Sequence, residues 1–108
     1  MDAEHLVALC TVPNAEEGAR IARSLVEERL AACVNIVDGL RSIYVWKGEV
    51  SDDREALLVI KTGRATLDAL TSRIVALHPY ETPEVIALPI AAGHAPYLAW
   101  IDESLARG

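Results

Sequence analysis

A chain of 108 residues suits one domain and leaves little room for a second. Hydrophobic residues at 52% and charged residues at 24% exclude an intrinsically disordered chain. A formal net charge of −6 lacks the basic footprint with which a general nucleic-acid binder releases counterions, and it speaks against docking on an anionic membrane.

The first element, His5 to Val12, is a compact apolar run with β-branched residues, stopped by Pro13. It predicts a strand buried on both faces. Asn14 follows as a helix N-cap, with Glu17 three residues on as in a capping box. From Ala15 to Ala32 the apolar positions Ala15, Ala19, Ala22, Leu25, Val26 and Leu30 keep helical spacing, and Glu27, Glu28 and Arg29 fall on a solvated face. Cys33 to Val37 reads as a second strand, continued by Arg41 to Lys47 after an Asp38-Gly39 turn or bulge. Gly48-Glu49 and Ser51-Asp52-Asp53 surround a chain reversal, and Glu55 to Thr62 returns as a strand. Ala65 to Leu77 is helical, with Leu67, Leu70, Ile74 and Leu77 in phase, and Pro79 ends it. His78 to Glu84 is a stiff loop with two prolines. Val85 to Ile90 is a strand whose Pro89 demands an edge or a bulge. Pro96 to Ala106 closes the chain as a helix, with Leu98, Ile101 and Leu105 on one stripe.

The order β-α-β-β-α-β plus a terminal helix predicts an α+β, ferredoxin-like (split βαβ) fold with a long β-hairpin, residues 1–108 forming one domain. Two helices cover only one face of such a sheet. Yet VALC, LLVI and VIAL are apolar on both faces, and mean hydropathy is +0.23. Open faces and hairpin edges of that kind call for cover by other subunits, so an obligate oligomer is expected.

Two cysteines, Cys10 and Cys33, are too few for a disulfide scaffold, and neither belongs to a C-x-x-C pair. No signal peptide and no membrane-length apolar run is visible, so a cytoplasmic protein with free thiols is expected. The densest polar cluster is the loop, where His78, Glu81 and Glu84 are residue types that bind divalent ions, or that merely face solvent. Cys10 is in phase with Leu6, Ala8 and Val12; it reads as a small core hydrophobe or as a soft copper ligand. Cys33, at a helix-to-strand junction, reads as packing. Tyr44 and Trp46 project from one hairpin face, for an interface or a flat ligand. Lys61 ends the returning strand and pairs with an anion or with solvent. No nucleophile signature and no phosphate-cradling glycine loop is present, so an enzyme is not expected.

The stretches CTVP (10–13), ERLAACVNI (28–36), SIYVWKGEV (42–50), IKT (60–62) and HPYETPEVIALPI (78–90) resemble the CutA family of divalent-cation tolerance proteins, and Tyr97-Leu98 and Trp100-Ile101 are similar to its last helix. The resemblance implies a ferredoxin-like homotrimer similar to the PII signalling proteins, with hairpins joining sheets between subunits, and a link to copper or other divalent cations. It places proposed copper ligands on Cys10 and His78, while the first histidine of the family's pair is Leu77 here. Three functions follow as expectations: a trimer that responds to metal through Cys10 and His78; a PII-like sensor whose inter-subunit pocket is built from Tyr44, Trp46, Lys61, Tyr80, Glu81 and Glu84 beside His78; or a purely structural trimer. Expected partners are other copies of the chain and divalent metal ions, with neither nucleic acid nor membrane.

Overall fold

A computed structural model describes residues 4–105. The elements run β1 (His5–Val12), α1 (Ala15–Glu27), β2 (Cys33–Trp46), β3 (Glu49–Gly63), a 3-10 turn (Arg64–Thr66), α2 (Leu67–Leu77), β4 (Ile86–Pro89) and α3 (Ala95–Ser104). The strands form one antiparallel sheet in the order β2-β3-β1-β4. Both α1 and α2 pack on the same face. Their Ile21, Leu25, Leu70 and Ile74 meet Ala8, Cys10 and Val12 of β1 and Ala56, Leu58 and Ile60 of β3 in one core. A satellite cluster of Ala32, Ile101 and Leu105 seats α3. Removing these surfaces from water is the main stabilising term.

β1 differs from the reading of a strand buried on both faces. Within this chain Leu6, Ala8, Cys10 and Val12 are buried, and the alternate residues are only half-buried. One sheet face is covered by α1 and α2, whereas on the other Val7, Leu9, Leu57 and Val59 keep intermediate exposure and the 78–84 loop shields only the Glu55 end. β4 is a four-residue edge strand paired only to β1, which is why Pro89 is tolerated there. At the start of α1, Asn14 Oδ1 accepts from the Glu17 amide at 2.8 Å, but the Glu17 carboxylate turns to Arg20 at 2.9 Å, so only half a capping box forms.

α1 stops at Glu27, five residues before the expected end. Arg29 takes a left-handed φ of 60° there, and its guanidinium donates to the carbonyls of Glu103 at 2.6 Å and Ser104 at 3.2 Å. It thereby supplies donors that the C-terminus of α3 lacks. Glu28 pairs with Arg73 of α2 at 3.0 Å. These two side chains fasten helices together rather than lining a purely solvated face. The last helix begins at Ala95 with Pro96 in its first turn; Ala106, its expected end, lies outside the described residues.

The hairpin is longer than its polar residues suggested. Ser51, Asp52 and Asp53 pair in register with Tyr44, Ile43 and Ser42, so they belong to β3, and the chain reverses at Lys47-Gly48. Both turn residues have positive φ, 51° and 84°, as a type I′ turn requires. A bulge between Val37 and Leu40 carries Gly39 at φ 79°. Because β1 pairs only with residues 56–63 of β3, the end of the hairpin projects as a two-stranded ribbon, and the molecule measures 44 × 26 × 22 Å. Ile43, Val45 and Val50 on that ribbon are 66%, 67% and 74% exposed, with no core of their own. No helix among the described residues is long and apolar enough to cross a membrane.

Candidate functional site

The root of the ribbon and the loop after α2 enclose a cavity of about 700 Å³. β2 contributes Ser42, Ile43, Tyr44 and Trp46; β1 and β3 contribute Thr11 and Glu55; the loop contributes Pro79 to Thr82 and Glu84.

His78 fixes the loop against the sheet. It follows the last residue of α2, and its backbone is extended (φ −77°, ψ 139°) because Pro79 disfavours the helical region before it. The ring is bonded at both nitrogens. Nδ1 accepts from the Tyr80 amide at 3.1 Å, which makes Nε2 the protonated nitrogen, and Nε2 donates to the Thr11 carbonyl at 2.8 Å. The ring also rests against Tyr80, 4.6 Å between centroids. Tyr80 in turn donates its hydroxyl to Glu55 Oε2 at 2.7 Å. Glu55 is only 6% exposed, so this bond partners a carboxylate that has left water. Burial and the adjacent Glu55 charge push the Tyr80 hydroxyl well above the usual tyrosine value, so it stays a donor. The Tyr44 hydroxyl is likewise raised, chiefly through its 2.6 Å bond to Asp53. At the rim, Lys47 Nζ lies 3.8 Å from Glu81 Oε2 and 5.7 Å from the Trp46 ring centroid.

Cys10 lies just behind this wall. It is sealed in the core, its thiol donates to the Thr11 carbonyl at 3.6 Å, and burial, reinforced by the charges of Glu84 and Glu55, pushes its pKa up to about 12. Cys10 and His78, the sequence-predicted pair, therefore share one acceptor, the Thr11 carbonyl oxygen. Leu77, by contrast, packs on the core, and its carbonyl takes the Arg20 guanidinium at 2.7 Å. Among the described residues, no group of three or more His, Cys, Asp or Glu side chains is arranged to hold a metal ion.

Of the residues expected in the pocket, Tyr44, Trp46, Tyr80, Glu81 and Glu84 line one cavity. Lys61 does not; it donates to Asn35 Oδ1, and its strand position pairs with Val7 and Cys33. Cys33 is half-buried beside the same Asn35. Sequence reasoning missed Thr11, Ser42, Ile43 and Glu55 in the cavity wall. The available signal for Glu55 was a carboxylate placed directly against the apolar run ALLVI.

A family model described as CutA1 divalent ion tolerance protein matches residues 6–104. The divalent-cation tolerance protein CutA of Thermus thermophilus is 56% identical over 98 residues, covering 91% of this chain and 95% of that protein. The chloroplastic protein CutA 1 of Oryza sativa is 54% identical over 99 residues, covering 92% of this chain and 56% of that longer protein. The crystal structure of CutA1 from Oryza sativa superposes with a TM-score of 0.95 at 50% identity, covering 99% of this chain and 98% of that one. With the match running through every strand and helix described above, the chain belongs to the CutA1 divalent ion tolerance family.

Proposed function

We propose that this chain is a non-enzymatic sensor of the divalent-cation tolerance family, a ferredoxin-like subunit of a cytoplasmic homotrimer of PII-like kind. Its site is the cavity between the ribbon and the 78–84 loop. The observation that carries the reading is the convergence of four separate segments on one cavity whose two tyrosine hydroxyls are tied to carboxylates. Tyr80 is held by Glu55 and Tyr44 by Asp53, so the wall is a fixed recognition surface rather than a set of activated nucleophiles. Self-association is supported by the exposed apolar ribbon and by Ile86 and Leu88 on the edge strand, 53% and 51% exposed. An isolated two-stranded ribbon is marginal in water, and neighbouring subunits would give it a core. Two measurements test this. Light scattering should give three times the chain mass, and a thermal-shift screen of small metabolites should find a stabilising ligand. A monomer with no stabilising ligand would refute the reading.

The second reading is copper held by Cys10 and His78. It is favoured by their shared contact with the Thr11 carbonyl. It is opposed by energetics. Raising a thiol from 9.0 to about 12 adds about 4 kcal/mol to the cost of forming the thiolate, and His78 would have to surrender one of its two ring bonds. A chelator-competition titration with Cu(I) and with Cu(II) decides between the readings. Stoichiometric binding lost in Cys10→Ala and His78→Ala supports copper; binding unchanged by both substitutions removes these ligands.

A further inference from the structure

The cavity's charge and walls also specify what it binds, an inference that rests on the sensor reading above. We propose that its ligand is an organic cation, an ammonium or guanidinium group carried on an apolar or flat body. Three carboxylates, Glu55, Glu81 and Glu84, line the cavity, and among the described residues of the chain no lysine or arginine does. Glu84 has neither a hydrogen bond nor an ion pair among the described residues, so its charge is uncommitted. The hydroxyls of Tyr44 and Tyr80 are already spent on Asp53 and Glu55. What the tyrosines and Trp46 have left to offer is aromatic surface, which attracts cations through the ring quadrupole.

The protein already holds a cation of this kind at the rim. The Lys47 ammonium sits between the Glu81 carboxylate, 3.8 Å away, and the Trp46 ring, 5.7 Å from its centroid, within the range of a cation–π contact. Its side chain is 72% exposed, so the contact is loosely held and a ligand's cation can replace it. A phosphate or carboxylate ligand would instead meet like charge from Glu55, Glu81 and Glu84. A bare metal ion would find no group of three ligating side chains arranged to hold it among the described residues, and no use for the aromatic wall. The volume of about 700 Å³ exceeds what an ammonium group fills, which leaves room for a body stacked along Tyr44, Trp46 and Tyr80.

The test uses the full chain with Trp100→Phe, which leaves Trp46 as the single tryptophan. Benzyltrimethylammonium and agmatine are titrated against Trp46 emission, with benzyl alcohol, benzenesulfonate and ATP as neutral and anionic comparisons. Calorimetry on the unsubstituted chain repeats the series independently of that background. The expected result is saturable quenching by both cations, weakened roughly tenfold or more by Glu84→Gln and by Glu81→Gln, each an exposed side chain, with the comparisons at least about tenfold weaker. Benzenesulfonate or ATP binding as tightly as the cations would overturn the ligand class and leave the sensor reading standing. Cation binding untouched by both glutamine substitutions would place the ligand elsewhere and overturn the proposal. Silence from every probe, with no thermal stabilisation by any metabolite, would overturn both.

Discussion

Replacing Tyr80 by phenylalanine isolates the bond that ties the loop to the sheet. The substitution keeps the ring and its contact with His78 and deletes only the donor to Glu55. A hydrogen bond to a charged group contributes about 1.5–3 kcal/mol, and a carboxylate left alone in a buried place adds its desolvation cost. Glu55 is 6% exposed, which argues for the upper part of that range, but Tyr80 itself is 37% exposed, so water can enter once the hydroxyl is gone. The expected loss is therefore about 1.5–2 kcal/mol, read by urea denaturation at fixed protomer concentration. Adding Glu55→Gln to Tyr80→Phe should recover part of the loss, because no charge is then stranded. The pH dependence has a defined sign. With the folded Tyr80 pKa raised above its unfolded value near 10, the folded state keeps a proton that the unfolded state releases, so this contribution is complete below pH 10 and declines as pH rises above it. Tyr80→Phe should flatten that alkaline decline. A stability change under about 0.5 kcal/mol with an unchanged alkaline slope would show that the bond does not hold the loop.

Three further outcomes follow from the same geometry. Iodoacetamide at pH 8 should label Cys33 and leave Cys10 intact in the native protein, because Cys10 is sealed and its pKa of about 12 leaves roughly a thousandth of the thiolate of a thiol at 9.0; labelling of both at equal rates by mass spectrometry would contradict the burial. Gly48→Ala should cost about 1 kcal/mol through its φ of 84° alone, since a Cβ there meets no atom within 4 Å; an unchanged denaturation midpoint would argue against the type I′ turn. Leu58→Ala should destabilise by about 2–5 kcal/mol, whereas Val50→Ala, on the exposed ribbon, should cost almost nothing to a dissociated chain and much more to an assembled one.

Apolar periodicity carried most of the fold into the sequence. Every expected strand and helix exists, and the phase of Leu6, Ala8, Cys10 and Val12 placed the thiol in the core. The hairpin was under-read because neither face of the ribbon is buried within one chain. Ser51, Asp52 and Asp53 then look like a turn, although their backbones pair. The end of α1 was over-read because its terminator is a left-handed arginine held by a helix distant in sequence, which no local rule signals. At the site, the aromatic and loop residues stood out as a motif, but Glu55 did not, since its partner Tyr80 is chosen by tertiary packing. Lys61 shares the strand parity of Glu55. Six residues along a strand span roughly 20 Å, so parity alone could not place it in the cavity.

The same reasoning separates two roles for His78. As a metal ligand it must present a ring nitrogen; as a structural clamp it must keep both nitrogens bonded, as they are in this structure. The clamp links the loop that carries Tyr80, Glu81 and Glu84 to β1, and so sets the width of the cavity. His78→Ala should cost about 2–3 kcal/mol, because the Thr11 carbonyl and the Tyr80 amide both lose a partner in a place that is 7% exposed. His78→Gln reaches about as far as the ring's Nε2 and donates an N–H, so it should restore the bond to Thr11 and recover about half of the loss. A ligand role predicts a different order, since a glutamine amide is a poor copper ligand and both substitutions would abolish binding alike. Stability measured for both variants, beside copper affinity for the same two proteins, distinguishes them. Stability recovered by glutamine with copper affinity unmoved by either change assigns His78 to the architecture of the cavity. Equal stability with copper affinity lost in both would assign it to metal.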